Sequence, residues 1–281
     1  IDKFFTITLP YLRKPLISVF FATFTMIITD YGVPLMIGGK YTTLPVMMYQ
    51  DVIGILGGMG SYATLHFFEA VLKAFPAQKE WDRPRVLIDN RCTMPSRVLA
   101  VLEGVKYDQL VAELTDSVRS LLHAGATKII LACNTSHCFL KDIYENVPEA
   151  EGKIVSIIDA CCEEIAQNGE TEVSLIASEG TIQSEVFSKG LKLHGVSVHS
   201  PENEQYLMQR ELIEAVKQDC ITDDVVERFV GLVKSFSGDA LILGCTEFPV
   251  LFAKVPEGTF GNIRIYDPLE CALRVLQREC K

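Results

Sequence analysis

From Asp51 onward, short apolar runs alternate with longer stretches whose apolar residues recur every three or four positions. "DVIGILGG" reads as a strand ending in glycines, and "SYATLHFFEAVLKAF" as a helix through Leu65, Phe68, Val71, Leu72 and Phe75. "RPRVLIDN" predicts a second strand, "YDQLVAELTDSVRSLLHAG" an amphipathic helix stopped by Gly125, and "KIILAC" a third strand. "IVSIIDACCEEIAQN" predicts one more strand and helix. The second half repeats the plan: strand "EVSLIAS", turn "EGT", helix "IQSEVFSKGLKLHG", strand "VSVHS", helices near 204–218 and 222–236, and strand "DALILGC". Alternation of this kind predicts an α/β fold with parallel sheets joined by right-handed crossovers.

A coarser repeat lies over that alternation. "IGILGGMGSYAT" and "VSLIASEGTIQS" are each strand, small-residue turn and helix, and each precedes a later strand that ends in Cys, at Cys133 and Cys245. Two similar lobes with a cleft between them are expected: 51–160, to which the chain returns at about 265–281, and 161–264. Ligands of open parallel sheets bind beyond the carboxyl ends of the strands, which is where both cysteines fall.

Residues 1–50 break the pattern. The uncharged run "PLISVFFATFTMIIT" between Lys14 and Asp30 is shorter than the roughly 20 residues that span a bilayer. Lys3, Arg13 and Lys14 precede it. Together, "FFTITLPYLRKPLISVFFATF" and "YGVPLMIGGKYTTLPVMMYQ" resemble a fragment of an inner-membrane permease of an ABC transporter. This hydrophobic extension is expected to lie outside the catalytic fold, which would begin near Met47 or Met48, and membrane association is expected only through it.

Composition narrows the function. Thirty-six acidic against 26 basic residues give a net charge of −10, with Lys and Arg scattered, so nucleic acid is not an expected partner. Nine cysteines, an odd number without paired CxxC spacing, fit neither a disulfide scaffold nor a zinc site. Reduced thiols and a cytoplasmic location are expected, with no metal.

A lone catalytic thiol wants a histidine partner. His137 lies four residues beyond Cys133, but nothing comparable follows Cys245, and His137 is read as structural. Two thiols from opposite lobes suit another task, removing a proton from one face of a carbon and returning one to the other. Free cysteine is often buried without a chemical role, and Cys92, Cys161, Cys162, Cys220, Cys271 and Cys280 are read as packing or incidental. For Cys133 and Cys245, the strand-end position and the flanking Asn134-Thr135 and Thr246-Glu247 point to chemistry, with Glu247 tuning Cys245 or binding an amine.

"GILGGMGSYAT", "ACNTSH", "EGTIQSEVF" and "LGCTEFPVL", in this order, resemble the pyridoxal-independent aspartate/glutamate racemase family over about residues 52–279. The resemblance implies two α/β lobes around a cleft, no cofactor, a possible homodimer, a small dicarboxylic amino acid as substrate, and Cys133 and Cys245 as the two bases. It further implies that Met59 lines the site, and that Asn134, Thr135 and Thr246 bind the α-carboxylate and amine. Thr181 is a further polar contact, and Arg97 and Lys217 hold the distal carboxylate. A planar two-pronged Arg and a point-charge Lys suit that group. Ser61, Ser96 and Ser136 depart from the family's usual proline, aspartate and alanine. L- and D-aspartate are the expected pair, with glutamate possible. The alternatives are a hydantoin racemase, a maleate isomerase, or an inactive amino-acid-binding or membrane-tethered protein.

Overall fold

Val52–Gly57 (β1) is apolar along almost its whole length because it is the middle strand of a parallel sheet and is covered on both faces. In the computed structural model, which describes residues 17–20, 22–23, 51–201 and 203–279, the chain separates into two compact units, Ile1–Gln50 and Asp51–Lys281. Of the first unit, residues 17–20 and 22–23 are helical, and the permease-like reading otherwise falls outside the described residues. Among the described residues, no helix is long and apolar enough to cross a membrane.

In the second unit β1 is followed by the helix Ser61–Ala74 (α1), the strand Arg85–Asn90 (β2), and the helices Arg97–Glu103 (α2) and Tyr107–His123 (α3). The strand Lys128–Leu131 (β3) completes a three-stranded parallel sheet of order β2-β1-β3. A 3-10 turn over Thr135–Phe139 leads into Leu140–Asn146 (α4), and Ile157–Gln167 (α5) leads to the second sheet. That sheet has the order β5-β4-β6-β7, all parallel: Glu172–Ala177 (β4), Ser197–His199 (β5), Ala240–Gly244 (β6) and Arg264–Tyr266 (β7). Its helices are Glu179–Ser184 (α6), Val186–Lys192 (α7), Asn203–Lys217 (α8), Asp223–Ser235 (α9) and Phe248–Phe252 (α10), and Pro268–Glu279 (α11) closes the chain. The fold class is α/β with two parallel sheets.

The predicted strand at "IVSII" is reduced to one bridge, Ile129 to Ile154, because Ser156 accepts a hydrogen bond from Asp159 N–H at 3.1 Å and starts α5 at once. "EGT" is no free turn but the opening of α6, capped by Ser178. The helix expected over "IQSEVFSKGLKLHG" breaks into α6 and α7 at Glu185, whose φ of 58° is left-handed.

The two sheets share one core. Ile53, Ile55 and Ile130 of the first belong to the same buried cluster as Val173, Leu175 and Ile242 of the second, bridged by Phe67 and Val71 of α1 and Leu273 and Leu276 of α11. Polar contacts tie α11 back to the first sheet: Lys128 Nζ meets Glu279 Oε2 at 2.6 Å, and Gln277 Nε2 donates to Ala74 O at 2.6 Å. Burial of this shared apolar surface fixes how the sheets' carboxyl ends face each other.

Candidate active site

Cys133 stands two residues past β3 and Cys245 one residue past β6, and both line a single narrow cavity of about 40 Å³. Each strand is buried and ends where its sheet runs out, so the next side chain is delivered to the sheet edge.

The Cys133 loop is held by its own chain. Ser136 Oγ donates to Cys133 O at 2.7 Å, and His137 Nδ1 lies 3.0 Å from the same oxygen. Ile157 N–H donates to His137 Nε2 at 3.2 Å, so the imidazole is neutral, with its hydrogen on Nδ1. Burial pushes the His137 pKa down to about 4, which keeps it neutral. His137 is therefore a brace on the Cys133 backbone. Ser136 is the second brace, a role alanine could not fill.

Cys245 is surrounded differently. Its Sγ donates to Glu247 Oε2 at 2.9 Å, and Glu247 is only 2% exposed. Burial first, and then the charge and hydrogen bond of Glu247, push the Cys245 thiol pKa well above its ordinary value. Lys217 opposes that shift. Although its own burial works the other way, Lys217 is held above the usual lysine range by Glu247, Glu214 and Cys245. Gly60 leaves room for the carboxylate, since a Cβ there would collide with Glu247 Oε1.

Of the residues singled out in the sequence, Met59, Arg97, Asn134, Thr135, Lys217 and Thr246 line the cavity together with the two cysteines. Thr181 does not line it. Thr181 is 1% exposed and sits behind the wall, its Oγ1 2.8 Å from Thr135 Oγ1 and 3.1 Å from Ser178 Oγ, while Thr135 and Ser178 are 3.0 Å apart. This closed ring of three hydroxyls joins the loop after β3 to the start of α6. Gly180 permits the approach, because a Cβ there would press Thr135 Cγ2 at 2.9 Å and Val98 Cα at 3.1 Å.

Arg97 also differs from its expected posture. Its Nη1 donates to Pro95 O at 3.1 Å and its Nη2 to Met59 O at 2.6 Å, so the guanidinium braces the glycine turn against the start of α2. Thr246 Oγ1 reaches back to Ala132 O at 3.4 Å, across to the first sheet's loop.

Among the described residues, four buried polar atoms of this cavity's lining carry no hydrogen bond: Asn134 Nδ2 and Oδ1, Arg97 Nε and Glu247 Oε1. Two donors and two acceptors without partners, on residues that line one cavity, match the needs of a zwitterion, which offers a carboxylate and an ammonium. No group of three or more His, Cys, Asp or Glu suited to a metal occurs among the described residues.

The family model described as Asp/Glu/Hydantoin racemase matches residues 56–276. The chain belongs to that family. It is 28% identical over 228 residues to the broad specificity amino-acid racemase RacX of Bacillus subtilis (strain 168), covering 78% of this chain and 94% of that protein. Its fold superposes on the aspartate racemase of Picrophilus torridus with a TM-score of 0.70 at 25% identity, covering 82% of this chain and 94% of the other. A Pyrococcus horikoshii OT3 aspartate racemase homologue gives a TM-score of 0.62 at 24% identity, covering 82% and 99%. The chain is thus an isomerase of the amino-acid racemase type.

Sequence reasoning did not place Ser178, Val98 and Ile213 on the cavity wall, and it left Glu247 with two possible roles. The signal for Glu247 was its position two residues after Cys245. A carboxylate there can reach the thiol only when the intervening turn folds back, as it does ahead of α10.

Proposed function

We propose that this protein interconverts L- and D-aspartate without a cofactor, with Cys133 and Cys245 exchanging protons at the α-carbon. The observation that carries the reading is that both cysteines line one small cavity whose lining residues Asn134, Arg97 and Glu247 carry four buried polar atoms without partners. In one direction, Cys133 as thiolate takes the α-proton, breaking the Cα–H bond and forming S–H. Cys245, held as the thiol by Glu247, delivers its own proton to the opposite face of the carbon. The reverse direction exchanges the roles.

Asn134 Nδ2 and Arg97 Nε are the donors for carboxylate oxygens, and Asn134 Oδ1 and Glu247 Oε1 the acceptors for the ammonium. Donors fixed beforehand around the α-carboxylate stabilise the charge that develops on proton loss. Lys217 supplies positive charge at the cavity's edge for the distal carboxylate. On the same reading the enzyme works as a homodimer in the cytoplasm, a compartment that keeps thiols reduced.

Incubation of either enantiomer in deuterium oxide, followed by NMR at the α-position, tests the assignment. Deuterium should enter without added pyridoxal phosphate, and Cys133→Ala and Cys245→Ala should each abolish racemisation. Undiminished turnover in either variant overturns the two-thiol scheme.

A further inference from the structure

The reaction cavity adjoins a second, wider one. Val98, Ser178, Ile213 and Lys217 line both, and the outer space measures about 270 Å³ against about 40 Å³ for the inner. Its far wall is one face of α8, where Tyr206, Arg210, Ile213 and Lys217 recur at helical spacing. The near wall carries Leu99 of α2.

The charges of this vestibule cancel in pairs. Arg210 Nη2 meets both carboxylate oxygens of Glu179 at 2.7 Å, and Lys217 Nζ meets Glu214 at 3.0 Å. A charged end group entering it would have to break a pair or stay uncompensated. An uncharged chain finds Val98, Leu99 and Ile213 for its methylenes and Tyr206 and Ser178 for a polar tip. Inside the reaction cavity, Arg97 rests both terminal nitrogens on backbone carbonyls, so its fork is not held open for a distal carboxylate. Lys217, which lines both cavities, is thus the cation left for aspartate's distal carboxylate, and the outer cavity beyond it adds Arg210 only as the partner of Glu179.

We propose that the vestibule is a side-chain subsite, and that the protein racemises α-amino acids with long, uncharged side chains in addition to aspartate. The inference rests on the two-thiol reading above, and the proton steps are the same. The side chain alone takes a new path, through the neck between Val98 and Lys217. Leu99, 42% exposed on α2, lines the outer cavity and not the sulfur-lined one, and so offers a way to fill the subsite while leaving the reacting groups in place.

The test follows α-deuterium incorporation into L-aspartate, L-methionine and L-glutamine, with the wild type and Leu99→Trp. The wild type should exchange all three. Leu99→Trp should slow methionine and glutamine about tenfold or more while leaving aspartate within about twofold, since a hydrophobic subsite discriminates on that scale. Leu99→Phe, a smaller filling change, should give the same ordering if the tryptophan variant does not fold. Exchange confined to aspartate, or a variant that slows all three alike, overturns the subsite. Absence of exchange with every amino acid overturns the two-thiol reading itself, a different and distinguishable failure.

Discussion

Cys133 and Cys245 stand at equivalent ends of two parallel sheets, yet their surroundings differ in kind. Around Cys133 the hydrogen bonds go to the backbone: Ser136 and His137 fix the carbonyl and leave the sulfur alone. Around Cys245 the bond involves the sulfur: the thiol donates to a buried carboxylate, and burial together with that anion raises its pKa. A scaffold that repeats its architecture can thus set two like groups in unlike hydrogen-bonding surroundings. The direction of the shift follows from physics, since burial and an adjacent anion both disfavour a thiolate.

That contrast can be broken most severely by removing a sulfur. Cys133→Ala or Cys245→Ala should each lower turnover by about 10³-fold or more, on the scale of a lost acid or base, as read by the isotope exchange assay. A smaller loss, about 10²-fold, is expected for Glu247→Gln, with a second readout that a merely structural role would not move. The midpoint of iodoacetamide labelling of Cys245 against pH, followed by peptide mass spectrometry, should move to lower pH. Gly60→Ala should act on the same side more weakly: its backbone φ of −178° suits any residue, so the added methyl works only by displacing Glu247 Oε1. A labelling profile unchanged by either substitution would remove Glu247 from the account of Cys245.

The smallest effect concerns the other side. His137→Ala leaves the buried Ile157 N–H without its partner and leaves Cys133 O with Ser136 Oγ as its remaining side-chain donor, and should cost about 1–3 kcal/mol in denaturant unfolding. Its pH dependence has a definite sign. The folded His137 pKa, about 4, lies below the ordinary 6.5, so the unfolded chain binds a proton the folded one refuses. Its contribution is full above about 6.5 and declines as pH falls towards 4. Asp267, raised by burial to about 7 from 3.8, runs the opposite way and costs stability as pH climbs through that interval. Asp267→Asn, which keeps an acceptor for Leu269 N–H, should therefore uncover the histidine slope.

Long elements were legible because their patterns repeat. Strands β1, β3, β4 and β6 are continuous apolar runs, as strands buried on both faces must be, and α3, α8 and α9 show their apolar face over several turns. Of the elements that escaped, α2 has seven residues and β7 three, too few for a period to declare itself, whereas the twelve residues of α11 went unread although Leu269, Ala272, Leu273 and Leu276 mark an apolar face. In the site, the cysteines and Asn134 were visible because "ACNT" and "GCTE" set them at strand ends. The postures of Arg97 and Thr181 were not, because each is set by a partner distant in sequence. Met59 lies 38 residues from Arg97, and Thr135 lies 46 from Thr181.

The order of apolar runs, amphipathic helices and turn residues is enough to dictate an α/β chain that presents a cysteine at the end of a strand in each half, since periodicity and strand termination are local properties. What surrounds each sulfur, which polar atoms lack a partner, and that a wider chamber adjoins the cavity were decided only when the sheets met across a shared core. Hydrogen-bond partners, desolvation and empty space arise between segments remote in sequence, and no single segment encodes them.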